Sequence, residues 1–301
     1  MKEGMHRSPL FYVGDKYKLM REIKTHFPLT IGRFIEPFVG GVSVFMNVDA
    51  DEYLANDIDN NVINIHRMLC GYSDREEDFF RDFYEIVERY GLSISFLRDS
   101  VPERLKKEFP KLYFAKYNKD AYERLRTDYN NSDRTNFLTL YVLMIYGFNR
   151  MLRFNRAGNF NVPVGNVDFN SNTHDALCDY FEQMNRKALT WHSLDFRDFL
   201  GNIEYQENDL IYLDPPYLIT FSEYNKLWNS DTEHELLQIL NELNHNGVRF
   251  AISNVTHYKG KENEIFLNWA RQYNCYPIKS NYISFNDNSV KSFNEVLITN
   301  Y

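Results

Sequence analysis

Leu210-Ile211-Tyr212-Leu213-Asp214-Pro215-Pro216-Tyr217 is a short apolar segment that ends abruptly in an acid, two prolines and an aromatic residue. The apolar residues predict a buried strand, and the prolines end it because proline has no N–H to donate to a neighbouring strand. Ligands of open α/β sheets bind beyond the C-terminal ends of the strands. The segment therefore predicts a strand whose end contributes an acidic and an aromatic side chain to a binding site.

The polar atoms of this segment suit one kind of chemistry. The exocyclic amine of a nucleobase is a poor nucleophile because its lone pair is delocalised into the ring. Two acceptors, the Asp214 side chain and the Pro215 carbonyl, would hold the two amine hydrogens and leave the lone pair directed at an electrophile. Tyr217 would stack on the base, which has to leave a duplex to reach such a pocket. The alternative is an ordinary strand followed by a proline-rich turn.

Other strands and helices are predicted on both sides of this segment. Helical patterns at Asn61–Leu69 and Asp231–Asn244 follow predicted strands, and the second of these helices has Asp231 and Thr232 as capping candidates. The alternation predicts an α/β fold with a mainly parallel sheet and helices on both faces. Two β-rich runs within Tyr276–Thr299, on either side of residues 286–289, predict a hairpin. The further predicted strands are Arg33–Glu36, Tyr53–Asn56, Val248–Ser253 and Glu295–Thr299.

The middle of the chain, roughly residues 70–190, lacks this alternation. It is helical and charged, with an apolar and aromatic helix at about Asn136–Phe148. We therefore predict one α/β domain formed by residues 1–68 and 187–301, with residues 69–186 as an inserted module. No internal repeat interrupts this organisation.

Two further motifs suggest a cofactor. Glu36-Pro37-Phe38-Val39-Gly40-Gly41 places glycines directly after a predicted strand, where they let the backbone approach a ligand closely. Asp57 ends the next predicted strand, and an acid at that position commonly accepts hydrogen bonds from ribose hydroxyls. Each motif alone is weak, but their order and spacing favour an adenosine-containing cofactor.

Charge and composition limit the function classes. Apolar residues make up 44% of the 301 residues, which excludes a disordered chain. The net charge of −8 counts mildly against nucleic-acid binding, but a basic stretch with interleaved aromatic residues runs over residues 104–126. Such a mixture suits a surface that grips phosphates and stacks on bases, and an ordinary solvated helical region is the alternative.

No targeting, membrane or metal signal is evident. The chain has no run of about 18 apolar residues and no apolar N-terminal stretch of signal-peptide length. Cys70, Cys178 and Cys275 are far apart and have no paired-ligand spacing, so we expect reduced thiols in a cytoplasmic protein and no metal site.

Taken in order, these motifs identify a resemblance. Over nearly its whole length the chain resembles the Dam-type N6-adenine DNA methyltransferases, the alpha-group or D12 class. The resemblance implies a Rossmann-like S-adenosylmethionine-dependent methyltransferase sheet with an inserted, mainly helical target-recognition domain. It also implies methyl transfer from S-adenosyl-L-methionine to a flipped-out adenine in double-stranded DNA, with S-adenosyl-L-homocysteine as the product. The enzyme would be the modification member of a restriction–modification system or an orphan Dam-like methylase.

The resemblance also implies roles for individual residues. Tyr12 and Lys16 match the N-terminal contacts to S-adenosylmethionine, and Asp57 matches the ribose-binding acid. Asp195 and Phe196 match a segment near the cofactor's adenine. The turn beside the methionine part of the cofactor is matched by Glu36, Phe38 and Gly40. The catalytic pocket is matched by Asp214, Pro215, Pro216 and Tyr217, of which Asp214 also borders the cofactor.

The run from Tyr146 to Pro163 resembles the family's DNA-reading segment. Phe148 and Asn149 would lie at a helix interruption, and Arg153 would read a guanine edge through its planar guanidinium, with Pro163 nearby. Val290–Tyr301 resembles the family's closing strand.

Four positions depart from the family pattern. Tyr12 stands where the family usually has Trp, and Asp15 replaces the second of two glycines before the lysine. Phe11 replaces a base-contacting lysine, so the side chain that usually contacts the outer base of the target sequence is absent. Val42 replaces a common glycine.

Three alternatives remain at this stage. Enzymes that methylate a glutamine side chain usually have Asn where Asp214 stands, and RNA amino-methylases usually lack an insertion that matches Tyr146–Pro163. A DNA-binding protein that kept the fold but lost catalysis is the third alternative, and intact Asp214–Tyr217, Asp57 and Lys16 argue against it. The expected partners are double-stranded DNA and a separately acting restriction endonuclease, with the protein itself a monomer.

Overall fold

The computed structural model describes residues 4–12, 14–97, 101–220, 228–278 and 293–301. Within these ranges the chain forms eight strands and ten α-helices. The strands are β1 (Arg33–Glu36), β2 (Glu52–Asn56), β3 (Leu189–His192), β4 (Leu210–Leu213), β5 (Arg249–Tyr258), β6 (Lys261–Glu262), β7 (Asn274–Ile278) and β8 (Phe293–Thr299). The helices are α1 (Met20–Lys24), α2 (Asn60–Cys70), α3 (Glu76–Tyr90), α4 (Glu103–Glu108), α5 (Tyr113–Asn131), α6 (Phe137–Tyr146), α7 (Ser171–Met184), α8 (Phe196–Gly201), α9 (Ser230–His245) and α10 (Glu264–Ala270).

The strands form one sheet in the order β3-β2-β1-β4-β5-β8-β7, and β6 pairs with the end of β5. Strands β1 to β5 are parallel, whereas β8 runs antiparallel to both β5 and β7. The predicted α/β fold of the methyltransferase class is confirmed by this arrangement. The antiparallel pairing of β7 and β8 agrees with the predicted hairpin, whose turn at residues 286–289 lies outside the described residues.

Most element predictions hold, and the differences have local causes. Strands β1 and β4 begin and end where the sequence places them, while β5 continues five residues beyond its predicted end to Tyr258. The capping prediction for α9 is wrong. The N-cap is Asn229, whose side chain accepts a hydrogen bond from the Thr232 backbone N–H, so the helix begins one residue earlier than predicted.

Alternate residues of the central strands face two separate cores, as the twofold period of a strand requires. On one face Ile35 and Ile211 pack with residues of α8, α9 and α10. On the other face Phe34 and Tyr212 belong to a cluster that continues into the inserted segment. The segment therefore shares its apolar core with the sheet. The predicted boundary after residue 68 falls inside α2, which ends at Cys70, and the division into domains stays a prediction.

The inserted segment is built around α6, which packs against α2, α3 and α5. Eight of its ten residues are buried, so the apolar prediction for this helix is confirmed. The helix ends at Tyr146, two residues before the predicted end, because Gly147 adopts an extended conformation. A Cβ on Gly165 would lie 2.5 Å from the Gly147 carbonyl oxygen, so glycine is required where the following loop returns to the helix end. Within the described ranges no helix is long and apolar enough to cross a membrane.

Candidate active site

The C-terminal ends of β1, β2 and β4 open into a cavity of about 420 Å³. β1 lies between β2 and β4, so the strand order reverses direction here, and this is where ligands of open α/β sheets bind. All residues predicted for the cofactor and for catalysis line this one cavity. They are Tyr12, Lys16, Glu36, Phe38, Gly40, Asp57, Asp195, Phe196, Asp214, Pro215, Pro216 and Tyr217.

Both oxygens of the Asp214 carboxylate are engaged. Lys16 Nζ lies 2.6 Å from Oδ2, and the Tyr217 hydroxyl donates a hydrogen bond of 2.7 Å to Oδ1. The side chain of Lys16 is 4% exposed, so this ion pair is largely shielded from water. A residue four positions beyond β4 and a residue before α1 are thereby fixed on the same carboxylate.

Glu295 of β8 completes this cluster, although no sequence motif predicted it. Its Oε1 lies 3.5 Å from Lys16 Nζ and accepts a hydrogen bond of 3.3 Å from the Tyr217 hydroxyl. Glu295 is 2% exposed, and its Oε2 is buried without a hydrogen-bond partner. Burial, opposed by Lys16, raises the pKa of this carboxyl. The sequence signal was only an acid in an otherwise apolar closing strand.

A second buried acid, Glu36, lies at the end of β1. Burial raises the pKa of its carboxyl well above the usual range, and the nearby charge of Asp214 adds to the effect. Its Oε2 is also buried without a hydrogen-bond partner. The cavity wall therefore carries a second buried carboxyl group, whose pKa is raised, beside the Lys16–Asp214 pair.

The turn after β1 is shaped by two glycines. Gly40 has φ of 44°, and its N–H donates a hydrogen bond of 2.9 Å to Asp57 Oδ2. A Cβ on Gly41 would lie 2.7 Å from Cβ of Tyr12, so the tyrosine packs directly on the turn. Asp57 Oδ1 accepts a further hydrogen bond from the Asp59 N–H. Burial raises the pKa of Asp57 to about 6, although both hydrogen bonds oppose that shift.

Three aromatic rings form one wall of the cavity. The rings of Phe38 and Phe196 have centroids 5.5 Å apart, and Trp228 lies 5.8 Å from each of them. Trp228 was not predicted, because nothing in its local sequence links it to the motifs. Asp195 borders this wall as the N-cap of α8, and its carboxylate accepts a hydrogen bond from the Arg197 N–H and forms an ion pair with the same residue.

The residues predicted to read DNA form a second group outside this cavity. Phe148 and Asn149 lie just beyond the end of α6, and the Phe148 N–H donates to the Pro163 carbonyl at 2.8 Å. The Phe148 side chain is 51% exposed, which is unusual for a phenylalanine. Arg153 donates from Nε and Nη2 to the side chain and carbonyl of Asn161. The guanidinium edge that carries Nη1 takes no part in these two bonds.

Two of the departures from the family pattern have unusual backbone conformations. Val42 has φ of 62° and is fully buried, so a β-branched residue occupies a left-handed position that favours glycine. Phe11 has φ of 48°, and it precedes the tyrosine that packs on the glycine turn.

The sheet, its cavity and the acid–proline–proline–tyrosine strand end place this chain in the fold class of the S-adenosylmethionine-dependent methyltransferases. The chain belongs to the D12 class N6 adenine-specific DNA methyltransferases, whose family model matches residues 12–283. This confirms the family inferred from the motifs.

Curated relatives agree with this assignment. The chain is 34% identical to the Type II methyltransferase M.FokI of Planomicrobium okeanokoites over 98% of its own length and 43% of that protein. It is likewise 34% identical to Modification methylase StsI of Streptococcus sanguinis over 98% of its length and 43% of the relative. A DNA adenine methylase of Vibrio cholerae is 30% identical over 70% of the chain and 65% of the relative. The chain thus spans less than half the length of the first two relatives.

Proposed function

We propose that this chain transfers a methyl group from S-adenosyl-L-methionine to the N6 amino group of adenine in double-stranded DNA, at one short sequence. The observation that supports this most directly is the position of Asp214-Pro215-Pro216-Tyr217. These residues follow the central strand β4 and line the same cavity as the glycine turn and Asp57.

The residues of the cavity fit S-adenosylmethionine. Its volume lies in the usual range for small-molecule sites, about 300–1,000 Å³. Asp57 would accept hydrogen bonds from the ribose hydroxyls, and the wall of Phe38, Phe196 and Trp228 would pack on the adenine. The turn at Gly40 leaves room for close approach of a ligand to the backbone. When bound, the cofactor supplies an electrophilic methyl group on a sulfonium centre.

The Asp214 carboxylate and the Pro215 carbonyl would accept hydrogen bonds from the two N6 hydrogens. This directs the nitrogen lone pair out of the ring plane, where it is available for in-line attack. Tyr217 would stack on the base. The acceleration comes mainly from positioning and from exclusion of water. Asp214 need not be a strong base, because the proton leaves only after the nitrogen has become cationic.

At Asp214 the amine would compete with Lys16 and Tyr217, because these two residues already contact the carboxylate oxygens. Glu295 lies within 3.5 Å of both groups and offers an alternative acceptor to each of them. We therefore assign Glu295 the role of a positioning residue. It would accept the hydrogen bond of Lys16 or Tyr217 when the amine binds to Asp214.

The inserted segment, residues 69–186, would supply the DNA contacts. Exposed Phe148 would enter the base stack and Asn149 would face the vacated position, because a flipped base leaves a gap in the duplex. Arg153 would read a guanine through the guanidinium edge that Asn161 does not occupy, beside Pro163. The target adenine would then lie in the cavity next to Asp214.

The cellular role is the finer part of the proposal. The name of the StsI relative describes a modification methylase, and this supports a role as the modification enzyme of a restriction–modification system, with a separately acting endonuclease as partner. The relative from Vibrio cholerae is a DNA adenine methylase without such a name, which supports an orphan methylase as the second candidate. In either role we propose a monomer that acts on DNA in the cytoplasm.

The test is transfer of labelled methyl groups from S-adenosylmethionine into unmethylated plasmid DNA, followed by nucleoside analysis and modified-site sequencing. We expect N6-methyladenine in one short motif. Label in RNA or protein, with no label in DNA, would overturn the substrate. Cofactor binding without transfer to any of these substrates would instead indicate a non-catalytic DNA-binding protein.

A further inference from the structure

A second cavity, of about 720 Å³, lies beside the first and is lined by residues of the N-terminal segment, the loop after α6 and the segment before α7. Phe11 lines this cavity while its neighbour Tyr12 lines the first one. Two arginines, Arg7 and Arg150, border the second cavity, and none of the described residues that line it is acidic. In a chain with a net charge of −8, this is a local concentration of positive charge.

Arg150 is a desolvated cation with an incomplete set of partners. Its guanidinium lies 3.8 Å from the ring centroid of Phe11, and the guanidinium of Arg7 lies 4.4 Å from the same centroid. Arg150 Nη2 donates to Thr173 Oγ1 at 3.0 Å, but Nη1 is buried and has no hydrogen-bond partner among the residues that the structure describes. Burial lowers the pKa of Arg150 to about 10, and the positive charge of Arg7 contributes to the decrease.

The acid whose charge acts on Arg150 forms its own hydrogen bonds elsewhere. Asp168 contributes a favourable charge to Arg150. Its carboxylate, however, accepts hydrogen bonds from the hydroxyls of Ser93 and Ser95 and from the Ser95 N–H. A buried cation with an unused donor costs free energy. The folded protein therefore has an uncompensated positive charge at this position, which a bound anion would neutralise.

Backbone strain is concentrated on the same wall. Phe11, Asn149 and Arg150 have φ of 48°, 52° and 51°, values that residues other than glycine rarely adopt. All three line the second cavity. Such conformations cost free energy and persist mainly where they serve binding or catalysis.

We propose that the second cavity binds a backbone phosphate of the DNA substrate, with Arg150 and Arg7 as its cationic ligands. The inference rests on the proposed function, because exposed Phe148 at the rim would bring the duplex alongside. Arginine matches phosphate through parallel N–H donors. The Nη1 group is buried, so the phosphate reaches it only when the Phe11 ring shifts. Phe11 is therefore a cover on the site, and its strained backbone favours that displacement.

The first experiment separates binding from folding. Arg150→Met and Arg7→Met are compared with Arg271→Met, which removes an exposed arginine beyond α10. We expect each of the first two to weaken binding of the cognate duplex about tenfold and to reduce the slope of log K against log salt by about one. Arg271→Met should change neither the affinity for the duplex nor the salt slope. Arg150→Met should melt at the same or a higher temperature, because it removes an unpaired buried charge.

The second experiment locates the phosphate. A set of cognate duplexes carries a single neutral methylphosphonate linkage at successive positions around the target adenine. For the unmodified protein we expect one linkage whose replacement weakens binding about tenfold. For Arg150→Met the same replacement should have no further effect, because the variant no longer makes that contact.

Three results would overturn the phosphate site. An unchanged slope of log K against log salt in Arg150→Met would show that this residue contacts no DNA phosphate. A lower melting temperature with unaltered DNA binding would show that it is only structural. Sensitivity of the unmodified protein to 7-deazaguanine at one position, lost in Arg150→Met, would show that it reads a guanine base. The methyl-transfer assay identifies the cognate duplex that these binding experiments use. A failure of the proposed function is therefore recognised in that assay, separately from a failure of the phosphate site.

Discussion

Lys16 Nζ lies 2.6 Å from Asp214 Oδ2, and the Tyr217 hydroxyl holds the other oxygen of the same carboxylate at 2.7 Å. Each oxygen of the carboxylate assigned to hold the adenine amine therefore already contacts a protein group before the substrate arrives. Asp214 is kept in one orientation by this pair of contacts, and a substrate amine can exchange with them at the same two oxygens. An exchange of this kind favours a substrate that can itself replace the lost hydrogen bonds.

The first prediction concerns Asp214 itself. Asp214→Ala should lose methyl transfer by at least about 10²-fold, since it removes a positioned acceptor from the reacting amine. It should keep DNA binding, because the predicted DNA contacts lie on the inserted segment. Single-turnover methylation and duplex binding are measured on the same preparation. A variant that retained near-normal turnover would refute the role assigned to Asp214.

Glu295 gives a more discriminating prediction. Glu295→Gln leaves Lys16 without its alternative anion, so the Lys16–Asp214 pair should become harder to exchange. We expect kcat to fall about tenfold, while KM for S-adenosylmethionine stays within a factor of about two. The melting temperature should not decrease, because the native carboxyl is buried with one oxygen lacking a partner.

The matched control for Glu295→Gln is Glu242→Gln on the exposed side of α9, which should leave both constants unchanged. Glu295→Asp keeps the charge and should recover part of the lost kcat. Equal losses in kcat and in thermal stability would instead mean that Glu295 only supports the packing of β8.

Cofactor binding should depend on pH through Asp57. Burial raises the pKa of its carboxyl to about 6, so the acceptor of the ribose hydroxyls becomes protonated below that value. The Kd of S-adenosylhomocysteine should then rise by up to about tenfold per pH unit below pH 6. Calorimetric titration between pH 5 and pH 8 measures this dependence.

Unfolding does not account for this effect, as the sign of the linkage shows. A carboxyl whose folded pKa lies above its unfolded value of 3.8 favours the folded state at low pH, and that contribution is lost as the pH rises through about 6. Asp57 therefore does not destabilise the fold on acidification from pH 7 to pH 5. Asp57→Asn should bind the ligand weakly at every pH, with the dependence near pH 6 removed.

The sequence predicted the residues at the ends of β1, β2 and β4 that line the cavity, because they belong to contiguous motifs. Asp214-Pro215-Pro216-Tyr217 combines a strand, its termination and a functional side chain within eight residues. Asp57 and Gly40 follow their own strands in the same way, and parallel pairing brings the ends of β1, β2 and β4 together. Short motifs at strand ends thus carry enough information to assemble a cavity.

The residues that were missed reach the site through tertiary packing. Glu295 belongs to β8, which pairs antiparallel with β5, and neither strand contains a motif. Trp228 stands before α9, and only the folded chain brings its ring to Phe38 and Phe196. Arg150 belongs to the inserted segment, and its burial against Phe11 depends on a contact between distant parts of the chain. Composition alone does not distinguish such an arginine from an exposed one.

The glycine turn offers a test of close packing. A Cβ on Gly41 would lie 2.7 Å from Cβ of Tyr12 and 3.3 Å from Ser8 Oγ, so Gly41→Ala must displace the N-terminal segment. We expect a loss of about 1–3 kcal/mol in the free energy of unfolding and at least tenfold weaker binding of S-adenosylhomocysteine. Denaturant titration and calorimetry measure the two quantities.

Gly201→Ala is the control for this substitution, because a Cβ there meets no atom within 4 Å and the residue is in the last turn of α8. It should be neutral or stabilise the protein by up to about 1 kcal/mol, since alanine is the better helix former. If Gly41→Ala bound S-adenosylhomocysteine with normal affinity, the position of Tyr12 would not matter for cofactor binding.

The last prediction concerns the exposed ring of Phe148. With half of its surface in solvent, this side chain contributes little to the folded protein, so Phe148→Ala should leave the melting temperature within about 2 °C. If the ring enters the gap left by a flipped adenine, its removal should reduce the fluorescence increase of 2-aminopurine placed at the target position. Methylation of duplex DNA should fall about tenfold or more, as expected for the loss of an inserted apolar wedge. Leu29→Ala, which truncates a fully exposed apolar side chain before β1, should change neither signal. If the 2-aminopurine fluorescence increase were unchanged in Phe148→Ala, other residues of the inserted segment would be responsible for base flipping.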